Sequence, residues 1–225
     1  MHNLLSNFRI QVNEHIYLKN PESSDLGRRI LTGSIEMLDK MGFECFTFRK
    51  LGKHIGSTEA SVYRYFESKH KLLLYLTSWY WRWMEYQLVF SLANIESPYD
   101  RLKKAILLLT ENIEEDNSYT HIDEVKLHRI VISESSKAYL TKEVDEENSY
   151  GVFSSYKQLV GRVSDIILEI NPGFKYPHML VSTVIEGAHH QRFFADHLPR
   201  LTDVVTGEDA ITEFYKEMVF KTIKE

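Results

Sequence analysis

The sequence predicts an all-α protein in which a small N-terminal group of three helices precedes a larger helical body. Apolar residues recur at spacings of three and four along most of the chain, and no stretch of useful length alternates between apolar and polar residues. Five prolines and ten glycines among 225 residues leave room for long helices. Several of the predicted helices also follow a capping residue or begin at a proline.

The N-terminal group contains one long and two short helices. The apolar spacing predicts the long helix over Leu26–Met41, and Gly42 follows as a C-cap because glycine adopts positive φ at little cost. Thr47 is predicted to cap a short helix that runs to Ile55. After a tight break, Thr58 is predicted to cap a second short helix over Glu59–Phe66.

Longer helices are predicted for the body. Ser68 caps a helix that reaches about Leu92, and Ser97 precedes a helix that begins at Pro98. Further helices are predicted over 121–135, 141–170 and 177–197, and from a capping box at Thr206–Asp209 to the end of the chain. Residues 8–18 alternate in part, which indicates an extended arm.

Composition excludes several classes of protein. No apolar run approaches the roughly 20 residues of a membrane span, and the N-terminus does not resemble a secretory signal. The single cysteine, Cys45, excludes an internal disulfide and fits a reducing cytoplasm; we expect it to be a small packing residue. The net charge of −5 is uneven, because residues 1–75 carry 11 basic and 8 acidic side chains while the remainder carries 16 and 24.

Two short helices joined by a three-residue turn are typical of a helix-turn-helix, in which the first helix braces the second against the major groove of DNA. Val62 and Phe66 are four residues apart and would face the core. Tyr63, Tyr65 and Lys69 carry polar tips that can hold phosphates without reading sequence. These residue types indicate a DNA-binding domain more specifically than a merely structural helix pair.

Over about Leu26 to Leu76 the sequence resembles the TetR family of bacterial transcriptional repressors. The run Val62–Lys69, Val-Tyr-Arg-Tyr-Phe-Glu-Ser-Lys, is specific for that family. Matching residues also occur at Arg29–Leu31, Met41–Glu44, Thr47–Leu51 and Ile55–Gly56. Gly52 stands where the family usually has alanine, and we expect it to loosen the packing of the two short helices.

The resemblance implies an N-terminal arm over 1–24, a helix-turn-helix DNA-binding domain over 25–72, and a ligand-binding and dimerisation domain over 73–225. Arg64 could make a bidentate contact with guanine, and Glu59 could either accept from cytosine or cap its helix. The DNA-binding residues that it implies are Thr47, Arg49, Thr58, Glu59, Ser61, Tyr63, Arg64, Tyr65 and Lys69.

Two faces of the predicted body helices carry further predictions. The aromatic residues Trp79, Trp83, Tyr86 and Phe90 share one face and could line a pocket for a largely apolar effector, although core packing is the alternative. The resemblance implies a dimer interface made largely by the two C-terminal helices, where small residues would let a partner helix approach closely; packing within the monomer is again the alternative. The interface residues predicted are Val184, Gly187, Ala188, Phe214 and Met218.

Together these features predict a ligand-responsive regulator, a repressor by resemblance, that binds a near-palindromic operator as a homodimer with its two heads about 34 Å apart. The alternative is a helical adaptor that has lost specific DNA binding. We expect no enzyme activity, because the sequence carries no phosphate-binding glycine loop, nucleophile elbow or zinc-protease motif. The spacing of the histidines on 189–197 does not favour a metal site, and no cofactor is expected.

Overall fold

The computed structural model describes residues 10–113 and 121–224, and within these ranges it contains eleven α-helices and no strand. The all-α prediction is therefore confirmed. In chain order the helices are α1 (Asp25–Cys45), α2 (Phe48–His54), α3 (Glu59–Tyr63), α4 (Lys69–Leu92), α5 (Pro98–Thr110), α6 (Glu124–Glu134), α7 (Ser136–Tyr139), α8 (Val144–Ser149), α9 (Ser154–Ile170), α10 (Pro177–His197) and α11 (Ala210–Thr222).

Most of the predicted helix starts are confirmed by the capping hydrogen bonds. The hydroxyls of Thr47, Thr58 and Ser97 each accept a hydrogen bond from a main-chain N–H three residues later. Gly42 adopts the predicted positive φ, at 71°. The chain nevertheless resumes a helical course after Gly42, so that α1 extends to Cys45 rather than ending at Met41.

Two predicted elements differ from the structure. The helix expected over 141–170 is divided into α8 and α9, and Gly151 lies between them with φ at 76°. Residues beyond a glycine break keep the apolar spacing, so periodicity alone does not show the break. At the last helix Asp209 is the N-cap, rather than a capping box beginning at Thr206.

The first of two compact units comprises Met1–Trp83 and Ile113–Ser154. Its helices α1 and α6 pack together. Thr32 Oγ1 donates to the carbonyl of His121 at 2.8 Å, and Arg129 binds both carboxylate oxygens of Asp39 at 2.8 Å. The helix-turn-helix lies within this unit, and its core includes Leu31, Leu51, Val62, Phe66 and Leu72, none of which is exposed.

The second unit comprises Met84–Asn112 and Ser155–Glu225, and in it α5, α10 and α11 pack together. Arg192 ties these helices by donating to the carbonyl of Thr110 and to the side chains of Asp209 and Thr212. The domain limits at 24 and 72 remain a prediction.

The N-terminal segment differs from the expected extended arm in its described part. A 3-10 turn covers Glu14–Ile16, and Ile16 is only 1% exposed. A second 3-10 turn, Pro21–Ser23, packs on α1. The part of the predicted arm before residue 10, including Arg9, lies outside the described residues. Among the described helices none is both long and apolar enough to cross a membrane.

Candidate nucleic-acid interface

Helices α2 and α3 form a closely packed pair. A Cβ on Gly52 would lie 2.9 Å from the carbonyl carbon of Thr58 and 3.0 Å from the nitrogen of Glu59. Gly52 therefore permits the start of α3 to approach α2 closely. The prediction that this glycine loosens the packing of the two short helices is wrong. Gly56 supplies the turn with φ at 64°. The geometry is that of a helix-turn-helix with α3 as the second, recognition helix.

Six predicted DNA-binding residues have exposed side chains, namely Thr47, Arg49, Thr58, Glu59, Tyr63 and Arg64. Tyr63 is 47% exposed; its ring packs edge-on against Phe48 with centroids 4.9 Å apart. Ser61 is half-buried, and its hydroxyl lies 2.9 Å from that of Thr58. The structure thus brings these residues to the outer side of α2 and α3.

The basic residues of this region fall into two groups. Arg29 is committed within the chain, because it donates to the carbonyl of Ile55 and pairs with Asp25; Lys50 likewise donates to the carbonyl of Cys45. In contrast, Arg49, Lys53 and Arg64 are exposed, and the described part of the chain offers none of them a hydrogen bond or ion pair. Sequence reasoning missed Lys53. The spacing of the basic residues could have identified it, since Lys53 lies four residues after Arg49 on the same helix face.

Tyr65 is a correction to the predicted interface. Only 3% of the residue is exposed, and its hydroxyl forms a hydrogen bond with that of Ser24 at 2.8 Å. The hydrogen bond from Ser24 lowers the pKa of the phenol despite burial, and nearby Lys19 lowers it further. The ring therefore belongs to the core of the first unit rather than to its outer surface.

Lys69, another predicted DNA-binding residue, has contacts within the chain, and its role at DNA remains a prediction. Its Nζ donates to the carbonyl of Phe43 at 2.9 Å and lies 4.4 Å from the centroid of the Phe43 ring. The ammonium group thus holds the segment that follows Gly42, and the side chain is half-buried. Cys45 also differs from its predicted packing role, because it is exposed.

The predicted effector pocket remains a prediction, because its four residues are divided between the two units. Trp79 and Trp83 are buried in the first unit, whereas Tyr86 is half-buried and Phe90 is 56% exposed in the second. None of the four lines a narrow apolar cleft in the second unit, whose free space is about that of one water molecule. The cleft is lined by Leu102, Ile106, Leu109, Val163, Ile167, Leu180, Val181, Val184 and Val219.

The predicted dimer residues are corrected in part. Val184 and Ala188 are buried within the second unit. Gly187 lies under Tyr215 of α11, whose Oη would be 2.2 Å from a Cβ at this position. The small residues thus admit a helix of the same chain. Phe214 is 59% exposed and Met218 is half-buried.

A metal site finds no support in the part of the chain that the structure describes. No three His, Cys, Asp or Glu side chains come together there in a group that could hold an ion.

Comparison with known proteins identifies the class of this domain. Residues 30–76 match the family model described as "Bacterial regulatory proteins, tetR family". The chain therefore carries a TetR-family DNA-binding domain, and the resemblance noted in the sequence is confirmed. No curated protein sequence matches the chain.

Solved structures share the fold over most of the chain. The superantigen PfiT has a TM-score of 0.58 and 16% identity, with 90% of this chain and 97% of that chain covered. AibR in complex with isovaleryl coenzyme A and operator DNA has a TM-score of 0.55 and 15% identity over 85% and 95% of the two chains. The ketosteroid transcriptional regulator KstR2 of Mycobacterium tuberculosis has a TM-score of 0.54 and 14% identity over 96% and 97%.

Proposed function

We propose that this chain is a ligand-responsive transcriptional repressor that binds a near-palindromic operator as a homodimer and leaves it when a small-molecule effector binds. The proposal rests on three exposed cations of the helix-turn-helix that have no hydrogen bond or ion pair within the described part of the chain, namely Arg49, Lys53 and Arg64. Exposed cations of this kind displace the counterions condensed on DNA phosphates, which drives association. The TetR-family match over the same segment supports the same conclusion.

The three cations are proposed to have different roles. Arg49 and Lys53 lie on α2, the bracing helix, and would neutralise phosphates. Arg64 directly follows α3, the recognition helix, and its planar guanidinium group could pair with a guanine edge. Glu59, in the first turn of α3, could accept from a cytosine amino group.

The capping hydroxyls could also contact the backbone of DNA. Thr47 uses a lone pair to accept the hydrogen bond from Lys50 N–H, so its own O–H remains able to donate to a phosphate. Thr58 and Ser61 share one hydrogen bond between their hydroxyls, which leaves one O–H of the pair for DNA. Tyr63 presents its phenol from the same helix.

The effector is proposed to be largely apolar. The cleft in the second unit is lined by nine aliphatic side chains, an environment that favours aliphatic groups over polar ones. The structure of AibR, which shares this fold, contains isovaleryl coenzyme A. The branched aliphatic part of such a molecule matches the chemistry of this cleft, whose side chains would have to move apart to admit it.

A second copy of the chain is the proposed partner. The segment that joins α10 to α11, together with one residue of α11, exposes several apolar side chains, whereas the predicted small residues of α10 are covered by the chain itself. These exposed residues are Leu198, Leu201, Val204, Val205 and Phe214, each between 47% and 68% exposed. Apolar residues concentrated on a surface in this way favour association.

The test is selection of bound sequences from a random duplex pool at near-physiological salt, followed by measurement of affinity against salt concentration. Enrichment of a near-palindrome with half-sites about one helical turn apart would support dimeric operator binding. For Lys53→Ala, the slope of log affinity against log salt should fall in magnitude by about 0.9 for each protomer, which is about 1.8 for the dimer. Arg64→Ala should relax the preference at one base pair, at a cost of about 1–3 kcal/mol for the preferred base.

Lys104→Ala is the matched control, because Lys104 is an exposed lysine of the second unit without a partner in the described chain. It should leave both the slope and the base preference unchanged. Absence of salt-dependent duplex binding, in protein shown by mass spectrometry to carry no small molecule, would contradict the proposal and favour the helical adaptor.

A further inference from the structure

The segment before α1 lies along the residues that end the recognition helix. Leu18 N–H donates to the carbonyl of Tyr65 at 2.8 Å, and the hydroxyls of Ser24 and Tyr65 are 2.8 Å apart. Lys19 Nζ lies 5.1 Å from the centroid of the Tyr65 ring. This segment thus contacts the main chain, the hydroxyl and the ring of Tyr65.

Tyr65 is itself bonded to the last turn of α3, because its N–H donates to the carbonyl of Val62 at 2.9 Å. The helix has only five residues, and so short a helix has little stability of its own. Its position must therefore be set by its neighbours. The buried side chain of Val62 holds α3 to the core, while Tyr65 connects it to the N-terminal segment.

The other end of the segment is fastened to the turn after α8. Asn13 Nδ2 donates to the carbonyl of Tyr150 at 2.8 Å, and the His15 ring stacks on the Tyr150 ring with centroids 4.8 Å apart. Between the two ends, Glu22 pairs with His121 at 2.9 Å. Each of these contacts lies within the first unit.

We propose that residues 13–24 form a strap that positions the recognition helix through Tyr65, so that Tyr65 and Asn13 determine how well the protein distinguishes its operator from other DNA. The proposal rests on the proposed DNA-binding function. It extends the DNA-reading part of the chain to residues before 30–76, the segment that matches the family model.

A positioning residue and a phosphate contact have different effects on binding. Loss of a phosphate contact weakens binding to all sequences by a similar factor. Loss of a positioning contact misaligns side chains that reach base edges, and so weakens operator binding without changing binding to unrelated DNA. The ratio of the two affinities therefore separates the roles.

The test compares Tyr65→Phe with Tyr63→Phe in the full chain. Each variant removes one phenol oxygen, but Tyr65 is buried and Tyr63 is 47% exposed. Affinities for the duplex enriched from the random pool and for a scrambled duplex of the same length are measured at low temperature, where circular dichroism shows both variants folded. Tyr65→Phe should lose three- to tenfold in affinity for the enriched duplex and less than twofold for the scrambled one. Tyr63→Phe should change both affinities by the same factor.

Equal losses on both duplexes would show that Tyr65 is a phosphate contact, and no loss on either would show that its hydroxyl is merely structural; each result overturns the strap. Asn13→Ala, at the far end of the strap, provides a second test should Tyr65→Phe fail to fold, and it should also lower only the affinity for the enriched duplex. If the wild-type protein binds no duplex at all, the proposed function itself fails and the strap fails with it.

Discussion

Lys71 Nζ lies 2.8 Å from Oε1 of Glu147, a carboxylate whose side chain is only 3% exposed. His70 Nε2 lies 3.0 Å from the same oxygen. The two cation-forming residues belong to the first turn of α4, immediately after the helix-turn-helix, whereas Glu147 belongs to α8. This cluster fixes the start of α4 within the first unit.

The two halves of the Lys71–Glu147 pair should respond unequally to substitution. Lys71→Met leaves a nearly buried carboxylate with His70 as its remaining partner in the described chain, and we expect a loss of about 2–3 kcal/mol in the free energy of unfolding. Glu147→Gln leaves an ammonium group that is 24% exposed and can turn to water, so a loss of about 1 kcal/mol is expected. Urea unfolding measures both, and a larger loss for Glu147→Gln would contradict this account.

Lys69 should contribute to stability rather than to phosphate binding. Lys69→Met removes the hydrogen bond to the carbonyl of Phe43 and the contact with its ring, and we expect a loss of about 1–2 kcal/mol in unfolding free energy. The salt dependence of DNA binding should stay as in the wild type. A fall of about 0.9 for each protomer, about 1.8 for the dimer, would instead support the phosphate contact predicted from the sequence.

Gly187 should be intolerant of a side chain because of Tyr215. Gly187→Ala places a Cβ 2.2 Å from the Tyr215 hydroxyl oxygen, and the forced movement should cost about 1–3 kcal/mol in unfolding free energy. In a Tyr215→Phe background the nearest atom becomes the ring carbon at 3.0 Å, so the cost of the same substitution should fall markedly. An equal cost in both backgrounds would show that Tyr215 is not the obstacle.

The sequence predicts best those features that depend on neighbours in the chain. Thr47 and Thr58 can be predicted as helix caps because the main-chain N–H groups that they bind are only three residues further along the chain. These two caps mark the starts of the two helices of the helix-turn-helix. The sequence predicts a DNA contact for Tyr65 and a dimer contact for Gly187. It does not show that Tyr65 contacts Ser24 or that Gly187 contacts Tyr215, because each of these partners is distant in the chain. An apolar or small-residue face shows that a helix packs against something, but not whether that partner is the same chain.

Asp209 provides a test by pH. Burial raises the pKa of this carboxyl, but hydrogen bonds from Arg192 and from Thr212 outweigh it, so the pKa lies below the ordinary value of 3.8. Because the unfolded chain binds the proton first as pH falls, the stability that the carboxylate contributes is present above pH 3.8 and is lost at lower pH. Asp209→Asn retains an oxygen that can cap α11, but it removes the charge and replaces with an amide donor the oxygen that accepts from Arg192 and from the Thr212 hydroxyl.

This substitution should therefore cost up to about 1 kcal/mol at pH 7, a small value because the pair is partly exposed, and much less at pH 3. Urea unfolding of both proteins across this range measures the difference. Asp203→Asn is the control: Asp203 is exposed and has no partner in the described chain, so its substitution should have little effect at either pH. A constant difference between wild type and Asp209→Asn from pH 7 to pH 3 would show that the charge of Asp209 does not stabilise the link between Arg192 and α11.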